Sequence, residues 1–166
     1  KRSEDYMSTQ NIILDLSSSN PIAVFPDYQG ETEAVAIRSD QQLIHLYRDW
    51  QKLEAPWNIT AMQGARQARE VVAGQDGTGN VQVFYRDETN LYHMTLNQDN
   101  TWTAPVTLPL CSHLQATVNP NNGALIISGV TKTGDLQFVQ QSTNTWSATT
   151  IDFNKALLGT APYLVI

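Results

Sequence analysis

Three stretches of this chain repeat one pattern, and the repeat limits the fold more than any other feature. "VAIRSDQQLIHLYRD" (35–49), "VFYRDETNLYHMTLN" (83–97) and "SGVTKTGDLQFVQQS" (128–142) align without a gap. Leu43, Leu91 and Leu136 fall in register, each after a polar break, "SDQQ", "DETN" or "KTGD". A break of that length between two apolar runs reads as a hairpin turn joining two strands. Upstream, each copy has a short apolar run and a glycine-containing turn, with Gly30, Gly79 and Gly123 in equivalent places. Downstream, the copies close on "LEAPWNIT", "TWTAPVTL" and "TWSATTIDF", so four short strands per copy is the natural count.

β-Branched and aromatic residues alternate with polar ones elsewhere, as in "NVQVFYR", which suits a pleated surface buried on at least one face. The only stretch of helix-favouring composition, "AMQGARQARE" (61–70), contains a glycine and lies between two copies; it reads as a linker or one turn of helix. The expected fold is all-β. Repeat lengths of 48 and 45 residues with four antiparallel strands each are the signature of β-propeller blades, here 22–62, 70–110 and 115–155 within a single domain of 166 residues.

The two ends resemble each other, "NIILDL" lying over "TTIDF" and "NPIAVF" over "APYLVI". Residues 1–20 thus read as the last strand of a preceding blade and 160–166 as the first strand of a following one. Three blades are too few for a ring that needs at least four. Either the chain is part of a longer propeller or copies of it form a homo-oligomer that closes the ring. Lys1 in place of Met reads as a processed or shortened form.

Ten basic residues against sixteen acidic ones, with no Lys/Arg stripe, disfavour nucleic acid and anionic membranes as partners. No apolar stretch is long enough for membrane insertion by a helix. The single cysteine, Cys111, excludes an internal disulfide and reads as a small apolar strand residue. The compartment is left open, with secretion or the cell surface favoured.

The pattern "VQVFYRDETNLYHMTLNQDNTWTAP", with its Gly turn, aromatic strands and terminal Trp, resembles the tectonin and tachylectin-type propeller lectins and the fucose-binding propeller lectins. Gly79, Phe84, Tyr85, Leu91, Tyr92, His93 and Trp102 carry it best; the third copy keeps Gly123, Leu136, Phe138 and Trp146, and the first has Gly30, Leu43, His45 and either Trp50 or Trp57. The resemblance implies a non-enzymatic lectin that binds neutral glycans in pockets between blades and needs no cofactor. Aromatic rings would take the apolar face of a sugar and polar side chains its hydroxyls. The candidate ligand-binding residues are Trp102, Trp146, Tyr85, Arg86, Arg38 and Tyr92. Arg38 and Arg86 align just before the hairpin break. A Trp repeated once per blade also reads as inter-blade packing, and the two Arg residues as solvated strand ends. No Glu recurs in register, which departs from the fucose-specific pattern.

His45 and His93 align with Phe138, an apolar aromatic, which argues for packing rather than metal binding. Two alternatives stand beside the lectin. One is a propeller serving protein–protein interaction within a larger assembly, toxin or adhesin. The other is a glycoside-cleaving enzyme, for which "NQDNTW" (97–102) is the nearest support, an Asp-box-like turn without its glycine. Asn58, in "NIT", is a formal N-glycosylation acceptor.

Overall fold

Each copy of the repeat folds into one antiparallel sheet of four strands taken in chain order. The computed structural model describes residues 12–48, 55–142 and 145–152. The first sheet holds β1 (Ile22–Pro26), β2 (Thr32–Ile37), β3 (Leu43–Tyr47) and β4 (Asn58–Ala61). The second holds β5 (Glu70–Gln75), β6 (Val81–Arg86), β7 (Leu91–Thr95) and β8 (Val106–Leu108). The third holds β9 (Ser112–Val118), β10 (Leu125–Val130), β11 (Leu136–Ser142) and β12 (Thr145–Ile151). The described residues contain no helix. The fold is all-β, and the first strands of successive sheets pack on one another, β1 on β5 and β5 on β9.

Turn chemistry explains where the strands break. Gly30, Gly79 and Gly123 all have φ between +71° and +87°, the left-handed region that a residue without Cβ enters freely. In the first two sheets the turn is closed by an aspartate three residues earlier. Asp27 Oδ1 accepts the N–H groups of Gln29 and Glu31, and Asp76 Oδ1 those of Thr78 and Asn80. Leu43, Leu91 and Leu136 each open the third strand of their sheet, as the alignment requires.

The hairpins between second and third strands are not identical. Leu43 pairs with Ile37 and Leu136 with Val130, but Leu91 pairs with Arg86. The second copy has thus lost one residue between its glycine turn and its third strand. Arg38 and Arg86, aligned in the gapless sequence comparison, are therefore not structural equivalents; Ile37 occupies the place of Arg86. In the longer hairpins Gln41 (φ 64°) and Gly134 (φ 89°) take the left-handed turn position.

Two cores lie between the sheets. Phe25, Val35, Ile37 and Leu43 of the first sheet pack with Val81, Val83, Tyr85 and Met94 of the second. Phe84 and Leu91, on the opposite face of the second sheet, pack with Leu114, Leu125, Ile127 and Val139 of the third. Burial of side chains of this kind stabilises by about 1.5–3 kcal/mol each.

The stretch expected as a linker or a turn of helix is a non-helical connection pinned to the first sheet. Leu43 donates its N–H to the Ala65 carbonyl (3.0 Å) and Ala68 donates to Gln41 (3.0 Å). The Gln42 amide donates to the carbonyls of Met62 and Ala65 as well. Residues 12–20, the described part of the expected N-terminal strand, make isolated bridges, Leu14 with Arg38 and Asn20 with Glu70. Residues 1–11 and 153–166, including the strand expected at 160–166, lie outside the described residues.

Candidate functional site

The repeated tryptophans are used between sheets. Trp102 leans edge-on against His45 (5.2 Å between ring centroids) and against Phe25 (6.3 Å), both in the preceding sheet. Trp146 repeats the move on the second sheet, against His93 (4.6 Å) and Phe84 (5.1 Å). Trp57 stands at the same point of the first sheet, one residue before the Asn58 that pairs with Tyr47, so it and not Trp50 is the counterpart. Trp50 lies outside the described residues. Both histidines are buried, and burial pushes His93 down to about 4. His45 Nε2 lies 2.7 Å from Glu33 Oε2.

The other candidates are held as follows. Tyr85 is buried and stacked on Tyr92 at 4.9 Å, and burial pushes its hydroxyl above the ordinary range. Tyr92 donates its hydroxyl to Asp87 Oδ2 (3.0 Å). Arg86 is bonded to Glu70, and Arg38, exposed on the hairpin, to Asp40. None of the six candidate residues lines the two clefts described next.

The first cleft, about 250 Å³, lies where the β1–β2 turn of the first sheet meets the β7–β8 turn of the second. The "DYQG" turn brings Asp27 and Tyr28 to its rim, while β2 and β3 supply Glu33 and Tyr47. Tyr47 is stacked on His45 at 4.9 Å, and the Tyr28 hydroxyl donates to the Gln98 carbonyl across the sheets (3.1 Å). Asn58 opens β4 on the same wall. From the second sheet comes Asn100, held at φ 61°. Its side-chain oxygen is buried without a hydrogen-bond partner among the described residues. Such a group costs about 1–3 kcal/mol while it stays unpaired. Arg48 also lines the cleft, its guanidinium 5.6 Å from the Trp57 ring centroid.

The second cleft, about 340 Å³, lies between the second and third sheets, at their first turns, β5–β6 and β9–β10. Asp76, Thr78, Asn122, Gln140 and Gln141 line it. Gly77 and Thr95 stand where the first cleft has Tyr28 and Tyr47, so this wall lacks their rings. Burial pushes the Asp76 carboxyl up, but hydrogen bonds from Thr78 and Asn80 outweigh it and hold the group below the ordinary range. Gly77 donates its N–H to the Gly123 carbonyl (2.7 Å), stitching the two turns together. A Cβ at Gly77 would stand 2.7 Å from the Gly123 Cα.

Both clefts escaped sequence reasoning because each is made by turns from two different sheets. The signal that marks half of each is the Asp three residues before the glycine, "DYQG" and "DGTG". Among the described residues no group of three or more His, Cys, Asp or Glu side chains could hold a metal ion. Cys111 is buried against Gly129, and burial pushes its thiol up to about 11. No protein-family model matches the chain, and no curated protein matches it.

Proposed function

We propose that the three sheets are consecutive blades of a β-propeller and that the chain is a lectin, binding neutral glycans in the inter-sheet clefts without turning them over. The observation that carries the reading is the make-up of the first cleft: two tyrosines, Tyr28 and Tyr47, beside the carboxylates Asp27, Glu31 and Glu33 and the amides Asn58 and Asn100. A sugar presents C–H faces to aromatic rings and hydroxyl donors to carboxylates, and this wall offers both. An acidic lining also suits an uncharged polyol better than an anion. The cleft lies at the small end of the range for ligand sites, which matches one or two sugar rings.

The packing of first strand on first strand supports the propeller reading, since blades are arranged with their first strands innermost around an axis. Asp27 is committed to its turn and Glu33 to His45, so these two carboxylates serve as fixed acceptors.

A glycan array on the purified chain, followed by titration calorimetry with the best hit, tests the reading. Tyr47→Ala is expected to weaken binding by about tenfold or more, corresponding to the loss of one stacking contact. Trp102→Ala is expected to lower the melting temperature by loosening the first inter-sheet core. An array without a competable hit, from protein that melts cooperatively, overturns the lectin and favours the protein-interaction reading.

A further inference from the structure

We infer that Glu33 is the specificity-determining acceptor of the first cleft and His45 the residue that positions it, so that a ligand is held there when it brings an O–H or N–H donor to Glu33. The inference rests on the proposal that this cleft is a ligand site. The two side chains share one face of the first sheet: Glu33 lies opposite Phe25, and Val35, two residues on, lies opposite His45. They are 3% and 0% exposed, and Glu33 lines the cleft. A carboxylate only accepts, so His45 Nε2 donates to Glu33 Oε2, at 2.7 Å. Among the described residues His45 Nδ1 is buried without a partner, and Glu33 Oε1 accepts no hydrogen bond. One carboxylate oxygen is thus held by the sheet, and the other is left for the cleft.

The fold does not require this pair. In the second sheet Gln82 and His93 take the places of Glu33 and His45, and in the third Ile126 and Phe138 take them. Gln82 donates instead to Asp76 Oδ2 (2.8 Å), and His93 Nε2 lies 3.3 Å from the Thr95 hydroxyl oxygen. Three different pairs fill one position, and the sheet forms with each. A buried ionic pair gives little net stability over an apolar pair of similar size, such as Ile126 and Phe138. The acidic pair stands only beside the cleft that has tyrosine rings. His45 also stacks on Tyr47 at 4.9 Å, and Trp102 closes over it from the second sheet at 5.2 Å. One buried side chain therefore fixes both an acceptor and a stacking ring of the same cleft.

An acceptor held in this way discriminates by what it refuses. A ligand that lacks the donor leaves the carboxylate desolvated and unpaired, which costs more than the loss of one contact in water. A saccharide is expected to bind only with a free hydroxyl at the position that meets Oε1, and removal of that hydroxyl is expected to abolish selection.

Titration calorimetry on the 166-residue chain tests the inference, with the methyl glycosides of the common hexoses and of N-acetylglucosamine and with their monodeoxy analogues as probes. Glu33→Gln, which copies Gln82, is expected to bind the best glycoside about tenfold or more weakly and to lose discrimination against one deoxy analogue. His45→Phe, which copies Phe138 and keeps a ring against Trp102, is expected to lose affinity as deeply. His45→Gln loses the ring but keeps an amide donor for Oε2, and is expected to stay within about threefold of wild type. A packing role for His45 would reverse that order. Circular dichroism confirms the fold of each variant. Wild-type affinity in Glu33→Gln, or a His45→Gln that binds no better than His45→Phe, would overturn the inference and leave the lectin reading standing. Folded wild-type protein that binds none of the glycosides would overturn both.

Discussion

Arg86 donates two hydrogen bonds to the buried carboxylate of Glu70, at 2.6 and 3.0 Å, from the residue directly opposite it on the neighbouring strand. The other Glu70 oxygen accepts the Leu114 N–H of the third sheet (3.0 Å), and Asn20, which bridges Glu70, donates to the Leu114 carbonyl (3.1 Å). The ion pair therefore ties the second sheet to the third, and Asn20 joins the chain just before the first sheet to both.

Arg86→Ala leaves that carboxylate buried without its countercharge and is expected to cost about 3–5 kcal/mol at pH 7. In the intact protein burial pushes Glu70 up, but Arg86 and Leu114 more than offset it and the group sits below its ordinary value. The stability it contributes is complete above the ordinary carboxyl range and is lost as pH falls through the depressed folded value. Without Arg86 burial dominates and the sign reverses. Urea unfolding at pH 7 and pH 4 should show the gap between wild type and variant narrowing in acid; a gap independent of pH would contradict it.

His93, held down to about 4 by burial, is neutral in the folded protein where an unfolded histidine is charged. The unfolded chain therefore binds more protons between pH 6.5 and 4, and stability falls as pH drops across that window, by on the order of 3 kcal/mol in all. His93→Phe copies the third sheet, where Phe138 takes this place. Its unfolding free energy is expected to be flatter than that of wild type over the same window, with the Trp146 contact kept.

Gln41 adopts the left-handed conformation that Gly134 adopts in the third sheet, and among the described residues only its backbone is engaged, with Arg38 and Ala68. A side chain at that φ costs about 1–2 kcal/mol, partly offset by the extra freedom glycine has when unfolded. Gln41→Gly should raise stability by about 0.5–1 kcal/mol, read as a higher midpoint in thermal unfolding. A lower midpoint would show that the Gln41 side chain has a role in the turn.

The strands were legible because their determinants are local. Three leucines after a polar break and three glycines at a left-handed turn are fixed by neighbours in the chain, so Leu43, Leu91 and Leu136 could be placed before any coordinates. What could not be read was anything settled between sheets. The missing residue in the second hairpin is invisible to an alignment anchored on leucine alone, which is why Arg38 and Arg86 were paired. Asn100 and Tyr47 line one cleft only because the β7–β8 turn of one sheet comes to the β3 end of another, and no spacing records that.

Gly77→Ala tests the seam between the second and third sheets. A methyl group there meets the Gly123 backbone at 2.7 Å, and backbone on both sides leaves little room to yield. The substitution is expected to cost about 1–3 kcal/mol and to perturb the second cleft. Unchanged unfolding in urea would mean that the two turns can part without loss.

The covering of the first and second sheets by a tryptophan from the sheet that follows also sets an order for folding on the ribosome. Phe25 and His45 belong to the first sheet, yet Trp102 is made more than fifty residues after His45. A nascent chain holds an uncapped sheet until its successor emerges, then shifts the exposure one sheet along. The growing end is always the sticky end, and synthesis speed through residues 45–102 becomes a variable in whether the chain folds or clumps.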